Sequence, residues 1–457
     1  MSDRTQKGFA KIAVVLLLLV VAGIVFLIIR GVRGGPPEMR LSRELKGVGR
    51  STPLSVIVTD GRGLRRLEIA LEQNGVVIPL LAESYGSRWP LLDSGPMEVT
   101  KDLQLGTAHQ SDLKDGKATL RVRAENGRWF GGEASLEHPL AVRSRPPSIE
   151  IRSGLLYVNQ AGSEMVLYRV SDTAIDSGVR VGRYFFPGYP LPGSTSGERV
   201  ALFAIPHDTP PNTVAQVVAR DDADNEALAN FPYQVKAKAF RRRDIEITDA
   251  FLQATVPAIL SNTPEAADQG DLLKNFLFLN GKLREMNRAK IAETSRQTAP
   301  RMLWEGPFQQ LTNSAVESQF ADYRSYIYQG RKVDEQVHLG FDLASLQHAP
   351  VVASNAGKVA FAEYLGIFGN TIIVDHGLGL QSLYAHLSSF GVKPGEVVRK
   401  GQVIGATGST GLAGGDHLHF TTLVNGVEVN PIEWWDPLWV RQHILEKLAP
   451  PGAAGSQ

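Results

Sequence analysis

The chain has 457 residues, enough for roughly two to four domains, each with its own core. Its formal net charge of +1 argues against a nucleic-acid partner. The absence of cysteine excludes a disulfide framework, a cysteine nucleophile and a cysteine-ligated structural metal.

From the N-terminus, Ile12 to Ile29 reads IAVVLLLLVVAGIVFLII without a charge, between Lys11 and Arg30. At a rise of ~1.5 Å per residue this helix would be about 27 Å long, enough for a hydrocarbon core with Lys11 and Arg30 snorkelling at its ends. A cleaved signal peptide is the alternative, but the run is longer than a signal core and no small-x-small cleavage site follows. The sequence therefore predicts a tail over 1–11, a transmembrane anchor over 12–29 and a basic, Pro/Gly-rich linker over 30–50. Arg30, Arg33, Arg40, Arg43, Lys46 and Arg50 after the span outnumber Arg4, Lys7 and Lys11 before it. Taken alone, that bias places the rest of the chain in the cytoplasm.

Two modules of short alternating strands follow. Residues 51–145 carry SVIVTD, LRRLEIALEQNG, VVIPLLAES and ATLRVRAENG. Residues 146–240 carry SIEIRSG, LLYVNQAG, EMVLYRVSD, RVALFAIP and FPYQVKAKA. Apolar alternation closed by Asn-Gly and Gly-rich turns predicts immunoglobulin-like β-sandwiches, without the antibody cysteine pair. Residues 241–304 turn helical: Leu272, Leu273, Phe276, Leu279, Leu283 and Met286 recur at helical spacing, interrupted by Asn280-Gly281. This stretch reads as a packed linker or as a regulatory arm shielding a cleft.

From 305 to 433 the chain is β-rich and glycine-rich, and a tail over 434–457 carries Trp434, Trp435 and Trp439 and ends in a disordered-looking PPGAAGSQ. The fold class expected is mainly β, with an N-terminal transmembrane helix, two sandwich modules, a helical linker and a C-terminal antiparallel β domain. Seven of the ten histidines lie after residue 337. Three segments gather most of them: HLGFD (338–342), LYAHL (383–387) and DHLHF (416–420). Imidazole and carboxylate together are the ligand set of hydrolytic zinc.

In DHLHFTTLV, read as a strand, His417, His419 and Thr421 share a face, with Cα atoms of neighbouring members roughly 7 Å apart. One imidazole can bind a metal while the other reaches a water or substrate on it. By the same parity Ser382, Tyr384 and His386 share a face. His338 and Asp342 would stand about 13 Å apart in a straight strand, so the backbone must bend, and Gly340 permits it. Three ligands leave a fourth position for water. With no HExxH, the remaining histidines are the available general bases. KGQVIGATGSTG lacks the ending of a phosphate-binding loop and reads as hairpin turns.

Residues 305–433 resemble the lysostaphin/LytM-type zinc metalloendopeptidases. The stretches that carry the likeness are HLGFDLAS, APVVASNAGKVAFAEYLGIFGNTIIVDHGLGLQSLYAHLS, VKPGEVVRKGQVIGATGSTG and GGDHLHFTTLVNGVEVNP, in the family's order. The resemblance implies one Zn2+ held by His338, Asp342 and His419. It implies His386 and His417 as the two catalytic histidines that activate water and stabilise the oxyanion. It also implies peptide bonds of peptidoglycan cross-links or stem peptides as substrate. Asn370 and Tyr384 are expected to line the substrate groove, His376 to be structural or part of the cleft wall, and His348 to face solvent.

Such a substrate overrules the charge bias at the anchor. The expected location is a single-pass protein of the bacterial inner membrane, N-terminus cytoplasmic and catalytic domain periplasmic, with the sandwich modules free to bind a cell-wall enzyme or envelope partner. Two departures from the family pattern stand out. Asp416 replaces a common proline and could raise the pKa of His417, and FADYR (320–324) replaces a glycine-arginine pattern. The rival readings are a catalytically silent LytM-type regulator of another hydrolase and a zinc protease acting on proteins.

Overall fold

The computed structural model describes residues 3–32, 35–61, 63–86, 95–126, 132–194 and 197–448. The PPGAAGSQ terminus lies outside them. A helix runs over Asp3–Val32, but the single-pass anchor and the inner-membrane location expected from it require correction. Among the described residues no helix is long and apolar enough to cross a membrane.

Beyond that helix the chain is mainly β. It divides into two compact units, Met1–Pro147 with Arg220–Glu226, and Ser148–Ala219 with Ala227–Gln457. In the first, strict alternation decides the layers: along Thr52–Thr59 the side chains of Leu54, Val56 and Val58 are buried and their neighbours face outward. This strand lies between Glu38–Leu41 and Glu98–Leu105, antiparallel to both. A five-stranded sheet contains Leu64–Gln73, Val76–Ser84, Gly116–Asn126 and Glu133–Val142. Val56, Val58, Leu67, Ile69, Leu120 and Val122 share one core, the arrangement of a two-layer sandwich.

In the second unit, Ser163–Val170 is flanked antiparallel by Glu198–Ala204 and Ile149–Ile151. Its core takes in Tyr168, Phe186, Phe203 and Phe231, and continues into Trp304, Phe308, Trp434 and Trp439. The aromatic stretch after 430 is therefore packed. Helical turns over Pro431–Trp435 and Pro437–Val440 start on the caps Asn430 and Asp436, each with proline just inside. Trp434 Nε1 donates to Ser163 Oγ at 3.2 Å.

The helical stretch contains Asp249–Ser261, capped by Thr248, and Leu272–Phe278, capped by Asp271, then Arg284–Ser295. The Asn280-Gly281 pair does not end the helix as its residue types suggest. A π-turn over Leu279–Leu283 absorbs it and the helix continues. Leu252, Val256, Ile259, Phe276, Leu279 and Leu283 pack with Tyr326 and Ile367.

The eight-stranded sheet that carries the histidines holds Leu418–Val424 as an interior strand. On one side it pairs antiparallel with Phe341–Ala344, on the other with Leu380–Leu387, which in turn pairs with Asn370–Gly377. Leu418, Phe420 and Tyr384 enter one core and Leu383, Ala385 and Leu423 another. The two faces of this sheet are thus both covered, and the histidines occupy a gap on the second face.

Candidate metal centre

Three strands deliver the cluster. His338 ends the strand Arg331–His338, Asp342 is the second residue of Phe341–Ala344, and His419 is the second of Leu418–Val424. The chain turns from one sheet into another between His338 and Phe341, and this bend brings His338 and Asp342 together. Asp342 and His419 are register partners across adjacent strands. The donor atoms converge: His338 Nε2 lies 2.9 Å from Asp342 Oδ1 and 3.0 Å from His419 Nδ1, and His419 Nδ1 lies 3.2 Å from Asp342 Oδ1. All three residues are buried.

The chemistry of this donor set fits a cation. His338 Nδ1 lies 3.1 Å from the Gln319 carbonyl oxygen. A carbonyl can only accept, so Nδ1 carries the proton and Nε2 presents its lone pair. His338 Nε2 and Asp342 Oδ1 are then two acceptors facing each other at 2.9 Å with no proton between them, and His419 Nδ1 lies within 3.2 Å of both. Their spacings match the edges, roughly 3.3 Å, of a tetrahedron whose vertices lie ~2.0–2.1 Å from a central ion.

Two further imidazoles border the cluster. The ring centroid of His386 lies 4.9 Å from that of His417 and 5.8 Å from that of His419. Both anchor Nδ1–H on backbone carbonyls, His386 on Thr410 at 2.8 Å and His417 on Gly415 at 2.9 Å. That leaves His386 Nε2 for the cleft, while His417 Nε2 lies 3.5 Å from Asp342 Oδ1. Burial, with the neighbouring His417 and His419, drives the His386 pKa well below its usual value. Burial also opposes charge on His417, but the bond and charge of Asp342 outweigh it and the net shift is upward. Asp416 is not the cause: it accepts from Thr407 Oγ1 and the His348 N–H.

Strand parity misplaces one residue. His386 has φ +61°, in the left-handed region, at an irregularity opposite Asn370–Ile372. Alternation breaks there, so His386 turns toward His417 and His419 instead of sharing a face with Tyr384. Tyr384 is 1% exposed and stacks edge-on against Phe420 at 5.3 Å. Its hydroxyl accepts from the Ser354 N–H and from Ser382 Oγ. It lies on the core side of the sheet, which corrects its expected place in the groove. Asn370 does not border the cleft either. Its Nδ2 donates to the Leu387 carbonyl at 3.0 Å, beside Thr410 Oγ1 at 2.8 Å, and so holds the irregular strand end in place. His376 is fully buried between the Ala356 carbonyl and Ser382 Oγ, and burial pulls its pKa to about 4. The His348 side chain is 58% exposed.

The cleft over the cluster measures about 180 Å³. Sequence reasoning missed part of its wall: Phe251 and Arg284 from the helical stretch, Arg324, and Phe368. Arg324 Nη2 donates to Asp342 Oδ2 at 3.0 Å. Only the Phe320–Arg324 departure hinted at Arg324. Arg284 carries no local signal, because its position depends on the π-turn.

Fold and site together define a domain of the metallopeptidase class. Residues 336–431 match the model of Peptidase family M23, and the chain carries a domain of that family. Its relatives include the DD-carboxypeptidase/endopeptidase Mpg of Neisseria meningitidis serogroup B, 44% identical over 97 residues, 21% of this chain and 22% of Mpg. Another is the peptidoglycan DD-endopeptidase ShyA of Vibrio cholerae, 38% identical over 96 residues, 21% of this chain and 22% of ShyA. The likeness thus spans about a fifth of the length of these curated relatives. Among solved structures, the catalytic domain of lysostaphin from Staphylococcus simulans is 31% identical, with a TM-score of 0.26, over 29% of this chain and 98% of that one.

Proposed function

We propose that the chain is a zinc-dependent endopeptidase that hydrolyses peptide bonds in peptidoglycan stem peptides or cross-links. The observation that carries this reading is the convergence of His338 Nε2, Asp342 Oδ1 and His419 Nδ1 within hydrogen-bond distances of one another, with two further imidazoles at the rim. The substrate class comes from the M23 relatives, two of which are named as acting on DD-linked peptides or peptidoglycan. Since all three donors are retained, a silent regulator is not favoured.

His338, Asp342 and His419 would hold the ion. When bound, it supplies Lewis acidity toward a peptide carbonyl and acidifies a water. His386, kept neutral by burial, offers the Nε2 lone pair that accepts a proton from the attacking water. His417, when charged, donates Nε2–H toward the negative charge growing on the carbonyl oxygen. Phe368, edge-on to His419 at 5.8 Å, keeps the ligand ring in place and the floor of the cleft apolar.

The test is incubation of the full chain with isolated cell-wall sacculi, with zinc and with a chelator. Release of muropeptides that stops on chelation and in His419→Ala supports the reading. Stoichiometric zinc binding with no release from sacculi or purified muropeptides overturns it.

A further inference from the structure

The cleft carries more positive charge than the attack on a peptide carbonyl requires. Arg284 and Arg324 both line it. Arg324 commits Nη2 to Asp342, and its Nε is buried without a partner. Arg284 commits Nε to the Asn280 carbonyl at 2.9 Å and Nη2 to Asn280 Oδ1, both neutral acceptors. No carboxylate among the described residues pairs with it. Asp334 bonds Asn280 Nδ2 at 2.7 Å and reaches Arg284 only through space. The next arginine on the same helix shows the contrast: Arg288 is neutralised by Glu428 through bonds of 2.9 and 3.1 Å. Burial, with the Arg324 and Arg288 guanidinium groups adding to it, lowers the pKa of Arg284. Two guanidinium groups therefore face one cleft over a single carboxylate, and that carboxylate belongs to the donor cluster.

We propose that Arg284 and Arg324 form a carboxylate-binding subsite next to the hydrolytic centre, so that the preferred substrate carries a free carboxylate close to the scissile peptide bond. The inference rests on the peptidase reading above and narrows its substrate class. A guanidinium fork matches a carboxylate in a planar, two-bond geometry that an amide cannot reproduce. Arg324 touches Asp342 directly, which places the carboxylate about one residue, ~3.3–3.6 Å of extended chain, from the reacting carbonyl. Since Arg284 follows the π-turn, the helical stretch supplies part of the substrate site.

The test uses the full chain and two stem peptides of one sequence, one with free carboxylates and one amidated. Binding is measured by calorimetry with zinc loaded and with metal chelated, and cleavage is followed in parallel. The acid is expected to bind at least about tenfold tighter than the amide in both metal states, the scale of a charge-assisted pair. Arg284→Gln is expected to lower the affinity for the acid to that for the amide at an unchanged melting temperature, with Arg284→Lys intermediate. Equal binding of both peptides by the wild type overturns the proposal. So does a preference that disappears on chelation, since the ion would then hold the carboxylate, or one that survives Arg284→Gln intact. If Arg284→Gln does not fold, the wild-type comparison in the chelated state decides. Failure of the peptidase reading is a separate result: no cleavage of either peptide, whatever their affinities.

Discussion

Arg324 and Asp342 are joined so that the two carboxylate oxygens serve different partners. Oδ2 accepts from Arg324 Nη2 at 3.0 Å while Oδ1 faces His338 Nε2 at 2.9 Å. The guanidinium fixes which oxygen is turned to the cluster. Such outer partners are worth about 10–100-fold in metal affinity. Arg324→Gln is therefore expected to weaken zinc binding by that factor, with Arg324→Lys in between. Competition against a chromophoric chelator measures it; unchanged affinity in both variants would show that Asp342 needs no such support.

His386 holds a backbone conformation that costs most residues of order ~1 kcal/mol or more, and asparagine tolerates it best. His386→Asn should thus keep the strand irregularity, the melting temperature and the zinc affinity while removing the imidazole. The expected loss is about 10²–10⁴-fold in kcat, the range for a general base. His386→Val should also destabilise the domain, because a β-branched residue resists positive φ. A His386→Asn variant that still turns over at the wild-type rate would assign the base elsewhere.

These two cases mark where the sequence was legible. HLGFD, LYAHL and DHLHF announced their histidines by residue type, and in DHLHFTTLV strict alternation correctly puts His417 and His419 opposite Leu418 and Phe420. Parity failed at LYAHL because a single left-handed residue shifts phase, and nothing in the composition of that segment signals it. Asn280-Gly281 looked like a helix break, yet tertiary packing of Leu279 and Leu283 carries the helix across it by a π-turn. Arg284 becomes part of the cleft only through that turn. The length of the apolar N-terminal run predicts an anchor, whereas among the described residues no helix is long and apolar enough to cross a membrane.

Gly340 has a role that its place in the bend did not reveal. Its φ is not in the left-handed region, but a Cβ there would stand 2.5 Å from both Cε1 and Nε2 of His419 and 2.9 Å from the Phe420 carbonyl oxygen. The ring is a candidate ligand and the carbonyl belongs to the sheet, so neither yields cheaply. Gly340→Ala is expected to destabilise the domain by ~1–3 kcal/mol. It should also lower zinc affinity by roughly tenfold or more as the His419 ring is displaced. Calorimetric unfolding with and without zinc separates the two effects; a variant with wild-type zinc affinity would show that the ring can move without consequence.

A pH dependence of stability is expected from Glu433, which is remote from the cluster. The Asn159 amide and the Ser163 N–H each donate to its carboxylate at 2.8 Å, yet burial dominates and raises its pKa to about 7. Glu164 adds repulsion, while His443, bonded to Glu164 at 2.6 Å, partly offsets it. Lys447 also bonds Glu164. In the unfolded chain Glu433 titrates near ~4.3. Between these values the folded state binds the extra proton, so stability falls as pH rises from about 4.3 through about 7 and levels off above. A shift of this size corresponds to a contribution on the order of 3 kcal/mol, present at low pH and lost at high pH. Glu433→Gln, which keeps an acceptor for Ser163 and cannot ionise, should flatten that slope. Urea unfolding of both proteins between pH 5 and pH 8 measures it, and parallel slopes in the two would remove Glu433 as the cause.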